Sequence, residues 1–184
     1  MTVAIVLAAG GSTRFADETP KLMTPFRGRS LLNFAVDSAI GAGLDHTIVV
    51  GGAVDLSDVV EVPAVLVQND RWQAGMATSI WTGLDWAEGI GETTVVIGLG
   101  DQPFVPPSAW RAVADSHAPL AVALLRGQRR PPVRIARELW HLLPREGDVG
   151  AKAIMAIRPE LVQEIACEGE PIDIDTKEDL LAWN

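Results

Sequence analysis

Short apolar runs bounded by glycine, proline or asparagine recur along the chain, with amphipathic stretches between them. Residues 3–7, 47–50, 65–67, 94–97 and 121–124 are nearly continuous runs rich in valine and isoleucine, the pattern of strands buried on both faces. Between them Leu31, Ala35 and Ala39 share one helical face, as do Met76, Ile80, Leu84 and Ala87. Trp110 and Val113 open a further helix after Pro106-Pro107, where proline is tolerated. Alternation of this kind needs crossover connections. It predicts a mostly parallel sheet covered by helices on both faces, a three-layer α/β/α fold. Past Pro131 the regularity weakens. Residues 138–143 and 151–157 read as helices, 161–166 as a strand and 177–183 as a closing helix, with Thr176 and Asp179 spaced as a capping box. No repeat, low-complexity segment or linker divides residues 1–184, so one domain is expected.

In such sheets ligands gather outside the carboxyl ends of the strands. The turn after Leu7, Asn69 and Asp101 all fall there. Leu7-Ala8-Ala9-Gly10-Gly11 is followed by two cations, Arg14 and Lys21. The glycines let a backbone approach a ligand closely, and successive N–H groups in such a turn form an anion nest. Arg14 would fork onto phosphate oxygens and Lys21 supply a point charge. An ordinary turn with solvated cations would suit the glycines alone; the two cations tip the reading towards a polyphosphate. The stretch is neither a P-loop nor a Gly-x-Gly-x-x-Gly fingerprint. Asp101 closes an apolar run between Gly98, Gly100 and Pro103. It is placed to hold Mg²⁺, which prefers oxygen ligands, rather than merely to cap a loop. Asn69, Gly75, Thr78 and Ser79 offer close approach and hydrogen bonds to a base or sugar. Trp72, Trp81 and Trp86 read as core or interface side chains.

Composition removes some classes. The formal net charge of −9 argues against a nucleic-acid or anionic-membrane partner, yet leaves room for a small anion in a local cationic pocket. Only Lys21, Lys152 and Lys177 are lysines, so arginine supplies most potential phosphate contacts. The single cysteine, Cys167, excludes an internal disulfide, and no signal-like or membrane-spanning apolar run is present; a cytoplasmic location is expected. His46, His117 and His141 are scattered, and no serine, histidine or cysteine grouping suggests a protein nucleophile.

Leu7-Ala-Ala-Gly-Gly-Ser-Thr-Arg14 followed by Pro20-Lys-Leu resembles the signature of the nucleotidyltransferases that attach a nucleotide to molybdopterin. Residues 68–80, 100–103, 147–152 and 173–180 continue the likeness in the family's order. The resemblance implies a Rossmann-like fold of the glycosyltransferase-A type. It also implies transfer from CTP to molybdopterin with Mg²⁺ and release of pyrophosphate. Asp175, or Asp173 on the same side of an extended segment, becomes a second metal ligand beside Asp101. Arg129, Pro132, Asp148 and Lys152 become acceptor contacts. The nucleotide would be held by about residues 1–105 and the acceptor by about 106–184. A molybdoenzyme apoprotein is the implied recipient of the product. Leu-Ala-Ala-Gly resembles the cytidylyl branch and Leu-Ala-Gly-Gly the guanylyl branch, so Ala9 bears on the choice of base. The chain departs from the family at Arg14-Phe15-Ala16, where Arg-Met-Gly is usual, and at Arg130-Pro131-Pro132-Val133, where Gly-His-Pro-Val or Gly-Asn-Pro-Val is usual. Three other readings stay open: GTP as donor, a sugar or polyol phosphate as acceptor, and a non-catalytic carrier of the molybdenum cofactor.

Overall fold

The computed structural model describes residues 1–11 and 19–183. Its strands are β1 (Val3–Leu7), β2 (Pro25–Phe26), β3 (Arg29–Ser30), β4 (His46–Gly51), β5 (Val65–Gln68), β6 (Thr94–Leu99), β7 (Leu120–Leu125), β8 (Gln128–Ala136) and β9 (Val162–Cys167). Its α-helices are α1 (Leu31–Gly41), α2 (Met76–Gly89), α3 (Pro107–Ala114), α4 (Lys152–Ile157) and α5 (Lys177–Trp183). Seven strands form one sheet in the order β5-β4-β1-β6-β8-β7-β9, while β2 and β3 pair separately. All neighbours are parallel except at β8, which runs antiparallel to both β6 and β7.

The uninterrupted apolar character of β1 follows from burial on both sides. Ala4 and Val6 pack with Leu31, Leu32 and Trp110 in one core layer. Val3, Ile5 and Leu7 pack with Ile80, Leu84 and Trp140 in the other. The sheet is therefore sandwiched between helical layers, a three-layer α/β/α fold. Chain order reverses across β1, with β4 and β5 to one side and β6 to the other. Leu7 lies level with Val50 and Leu99, so the crevice at this switch point opens at one rim. No helix among the described residues is long and apolar enough to cross a membrane.

Strand β8 is the main element that the periodicity does not predict. Arg126 and Gly127 both have left-handed φ, 46° and 78°, the requirement of a tight two-residue hairpin turn. Two prolines are accommodated because the pairing shifts there: Val122 faces Val133, but Ala123 faces Arg130. Pro131 and Pro132 occupy the bulge, where their missing N–H groups are not needed. Residues 137–142 form a 3-10 rather than an α-helix.

Candidate active site

At the carboxyl end of β1 the chain turns against its neighbours. The Ala8 N–H donates to the Val50 carbonyl and the Gly100 N–H to the Leu7 carbonyl, each at 2.9 Å. Ala8 thereby enters the core behind the turn. Ala9, Gly10 and Gly11 line a cleft of about 620 Å³. Beyond Gly10, in the direction a Cβ would take, the space is open, so a ligand can approach the backbone there. Gly11 instead abuts the Trp72 indole, which makes Trp72 a cleft wall that the sequence reading passed over. Arg14 lies outside the described residues.

Asp101 follows β6 at the same rim. Its flanking glycines serve the packing around it. A side chain at Gly98 would overlap the Trp110 indole, and one at Gly100 would crowd Leu32. Both are packing glycines. The Ile174 N–H donates to the Asp101 carbonyl at 3.0 Å, laying residues 173–175 alongside. A reciprocal capping box then pins the segment. The Thr176 N–H donates to Asp179 Oδ2 at 2.9 Å and the Asp179 N–H to Thr176 Oγ1 at 3.1 Å. Asp179 Oδ2 also accepts from the Asp175 N–H.

This brings Asp101 and Asp175 together around the Lys21 ammonium, whose Nζ is 2.7 Å from Asp101 Oδ2 and 3.0 Å from Asp175 Oδ1. Asp173 faces elsewhere. It accepts from Gln102 Nε2 at 2.6 Å and lies 3.3 Å from Arg130 Nη1. Burial pushes the Asp101 carboxyl above the usual carboxylate range; Lys21 opposes that, and Asp173 and Asp175 reinforce it. Burial would lower Lys21, but the charges and hydrogen bonds of Asp101 and Asp175 outweigh it and hold the ammonium above its ordinary value. Both shifts follow from a close Asp101–Lys21–Asp175 grouping in a partly desolvated corner.

That excess of negative charge suits a divalent cation. Asp101 Oδ1 is buried without a hydrogen-bond partner, an arrangement otherwise costly enough to be rare. Among the described residues no three or more His, Cys, Asp or Glu side chains cluster to hold a metal. An ion at Asp101 and Asp175 would therefore need substrate phosphates and water to complete its oxygen shell, as Mg²⁺ commonly does.

The opposite wall is the start of α2. Gly75 has φ of 104° and lies so close to the Gly147 backbone that any Cβ would overlap it. The Gly147 carbonyl accepts from the Ala77 N–H at 2.9 Å, and Asp148 Oδ1 accepts from the Met76 N–H at 3.1 Å. Asp148 thus caps α2. Asn69 is buried and fully engaged. Its Nδ2 donates to Thr78 Oγ1 and Ser79 Oγ at 2.9 Å, and its Oδ1 accepts from the Arg71 N–H. It ties the end of β5 to α2. Ser79 does line the first cleft. With Asn69 donating to it, its own hydroxyl proton is left to point at a ligand.

A second cleft of about 520 Å³ adjoins the first, sharing Leu7, Met76, Leu99 and Asp148 as walls. Its floor is apolar, with Ile80, Ile97, Val122, Val133 and Met155, and its rim carries Arg129, Arg130 and Lys152. Pro132 is buried within β8, and Pro131 lines the cleft in its place, because the bulge offsets the pair. Gln102, Asp173 and Arg130 also line it. The sequence signal for them was the Gln of Gly100-Asp-Gln-Pro103 and the first Asp of Asp173-Ile-Asp175.

A profile of the MobA-like NTP transferase domain matches residues 4–165. The chain belongs to this family. As a MobA-like nucleotidyltransferase it is an enzyme, which sets aside the carrier reading. It is 30% identical over 141 residues to the bifunctional protein GlmU of Roseobacter denitrificans, covering 74% of this chain but 31% of that one. It is 26% identical over 192 residues to the nicotine blue oxidoreductase of Paenarthrobacter nicotinovorans, covering 96% of this chain and 93% of that one. The crystal structure of Rv0371c from Mycobacterium tuberculosis H37Rv superposes with a TM-score of 0.80 at 29% identity, over 99% of this chain and 96% of that one. Rv0371c has also been solved in complex with manganese.

Proposed function

We propose that the chain transfers a cytidylyl group from CTP to the terminal phosphate of a molybdopterin-type acceptor, with Mg²⁺, releasing pyrophosphate. The observation that carries this reading is the junction of a polar cleft under the β1 turn with an apolar-floored, cation-rimmed cleft, the two meeting at Leu7, Leu99 and Asp148 beside Asp101. The second cleft suits a flat heterocycle bearing a phosphate better than a polyol, whose hydroxyls would find few partners on its floor.

In this reading Asp101 and Asp175 hold Mg²⁺, which when bound would neutralise charge on the triphosphate and the departing pyrophosphate. The backbone at Gly10 and Gly11, with Arg14 and Lys21, takes the phosphates, so Lys21 exchanges its carboxylate partners for phosphate oxygens. Ser79 donates to the nucleoside, and Gly75 lines its cleft while making room for the Gly147 backbone. Arg129, Asp148 and Lys152 contact the acceptor. The division between donor and acceptor halves near residue 105 is then approximate, since residues 147–148 close the donor cleft and β1, α2 and β6 floor the acceptor cleft. Cytosine is favoured by Ala9. Ala9 lines the first cleft, and its methyl would narrow a slot that glycine would widen for a purine.

Incubating the protein with Mg²⁺, CTP and molybdopterin should yield pyrophosphate and the cytosine dinucleotide, identified by mass. Product formed instead with GTP, or with a sugar or polyol phosphate in place of molybdopterin, would overturn the assignment of donor or acceptor respectively.

A further inference from the structure

Arg130 stands where the bulge in β8 redirects the chain, opposite Ala123 and just before the two prolines. Bulges re-aim side chains beside active sites, and here Arg130 lines the second cleft. Its guanidinium carries five donors. One lies 3.3 Å from Asp173 Oδ2 and another 3.5 Å from Gln128 Oε1. Both contacts are long, and no other hydrogen bond engages the fork among the described residues. Asp173 is itself fixed, because Gln102 Nε2 donates to its other oxygen at 2.6 Å. Gln102 is buried and adjoins Asp101, and the Ile174 N–H is bonded to the Asp101 carbonyl. A continuous set of held groups therefore runs from the Asp101 corner to the Arg130 fork. Arg129, its neighbour, also lines the cleft but is paired with Glu164 at 2.6 Å.

We propose that Arg130 is the specificity-determining anion receptor of the second cleft, binding the phosphate monoester of the acceptor, and that Asp173 and Gln102 are the positioning residues that aim it. The proposal rests on the reading of nucleotidyl transfer given above. An apolar floor can hold a ring but cannot orient a phosphate, whereas a guanidinium fork takes two phosphate oxygens at once and leaves the third facing the donor. That oxygen supplies the electron pair for the new bond to the α-phosphorus. The bond from the α-phosphorus to the bridging oxygen breaks, its electrons leave with pyrophosphate, and no proton transfer is needed from an ionised monoester.

The test has two arms. Orthophosphate is titrated by calorimetry into protein already saturated with Mg²⁺ and a non-hydrolysable CTP analogue, so that the triphosphate site is filled. Wild type should bind orthophosphate. Arg130→Met should weaken it about ten- to a hundredfold, with Arg130→Lys and Asp173→Asn in between, and affinity for the CTP analogue should hold steady throughout. In the kinetic arm, the same variants should raise KM for molybdopterin while sparing KM for CTP. Orthophosphate binding that is undetectable in wild type, or equal in Arg130→Met, overturns the role of Arg130. A wild type that ignores molybdopterin yet binds orthophosphate through Arg130 overturns only the acceptor named above.

Discussion

Asp148 is the residue whose two duties separate most cleanly by substitution. Its Oδ1 accepts from the Met76 N–H at the first turn of α2, while its side chain borders both clefts. Asp148→Ala removes a helix cap, a change worth about 0.5–2 kcal/mol. For a chain of this length that lowers Tm by roughly 2–4 °C per kcal/mol. Asparagine retains an oxygen acceptor and caps nearly as well as aspartate, so Asp148→Asn should recover most of that loss. It cannot recover the negative charge offered to the acceptor. The expected pattern is therefore a lowered Tm for alanine alone, and a raised molybdopterin KM for both variants with CTP binding little changed. Thermal unfolding by circular dichroism and steady-state kinetics on the same preparations supply the readouts. An unchanged Tm in Asp148→Ala would refute the cap, and a wild-type molybdopterin KM in Asp148→Asn would refute the contact.

Lys21→Met should bind Mn²⁺ more tightly than wild type when no nucleotide is present, because the ammonium between Asp101 and Asp175 is gone; electron paramagnetic resonance of free Mn²⁺ reads this, and equal binding would contradict it. The same variant should bind CTP more weakly than wild type by calorimetry. Ala9→Gly should raise kcat/KM for GTP relative to CTP by about tenfold, the low end of what one methyl in a pocket discriminates; an unchanged ratio in direct competition would remove Ala9 from the choice of base. The Asp179 carboxyl is held below its ordinary value by the Thr176 hydroxyl, then by the backbone N–H groups of Thr176 and Asp175. Its stabilisation is present above about pH 4, the unfolded value, and is lost as pH falls through the lowered folded value. Asp179→Asn should accordingly flatten the acid limb of Tm against pH, and a parallel limb would argue against that linkage.

Periodicity made the parallel half of the fold legible because β1, β4, β5 and β6 are short apolar runs separated by amphipathic helices. The same logic hid β8. Its pairing depends on a bulge between distant strands, and arginines and prolines mask any alternation. At the site, the rim position of Asp101 and its nearness to the turn after Leu7 follow from strand order and motif. The division of labour among neighbours does not. Asn69 and Ser79 look equally suited to a nucleoside in sequence, yet the packing of β5 on α2 consumes every polar atom of the Asn69 side chain and leaves the Ser79 proton. Gly98 and Gly75 likewise read as ligand clearance, whereas one makes room for Trp110 and the other for the Gly147 backbone. Arg130 was lost among four nearby arginines until the register of β8 separated it from the rest.

The most direct test of the account follows the label from CTP carrying a radioactive α-phosphate, in wild type and in Asp101→Asn, with Mg²⁺ and molybdopterin present. Wild type should move the label onto the acceptor in step with pyrophosphate release. Asp101→Asn should keep the native circular dichroism spectrum and lose transfer by about a hundredfold or more, as expected when several kcal/mol of metal-assisted stabilisation disappear. Label transfer at near wild-type rates by folded Asp101→Asn would contradict the claim that the Asp101–Asp175 corner carries the reaction.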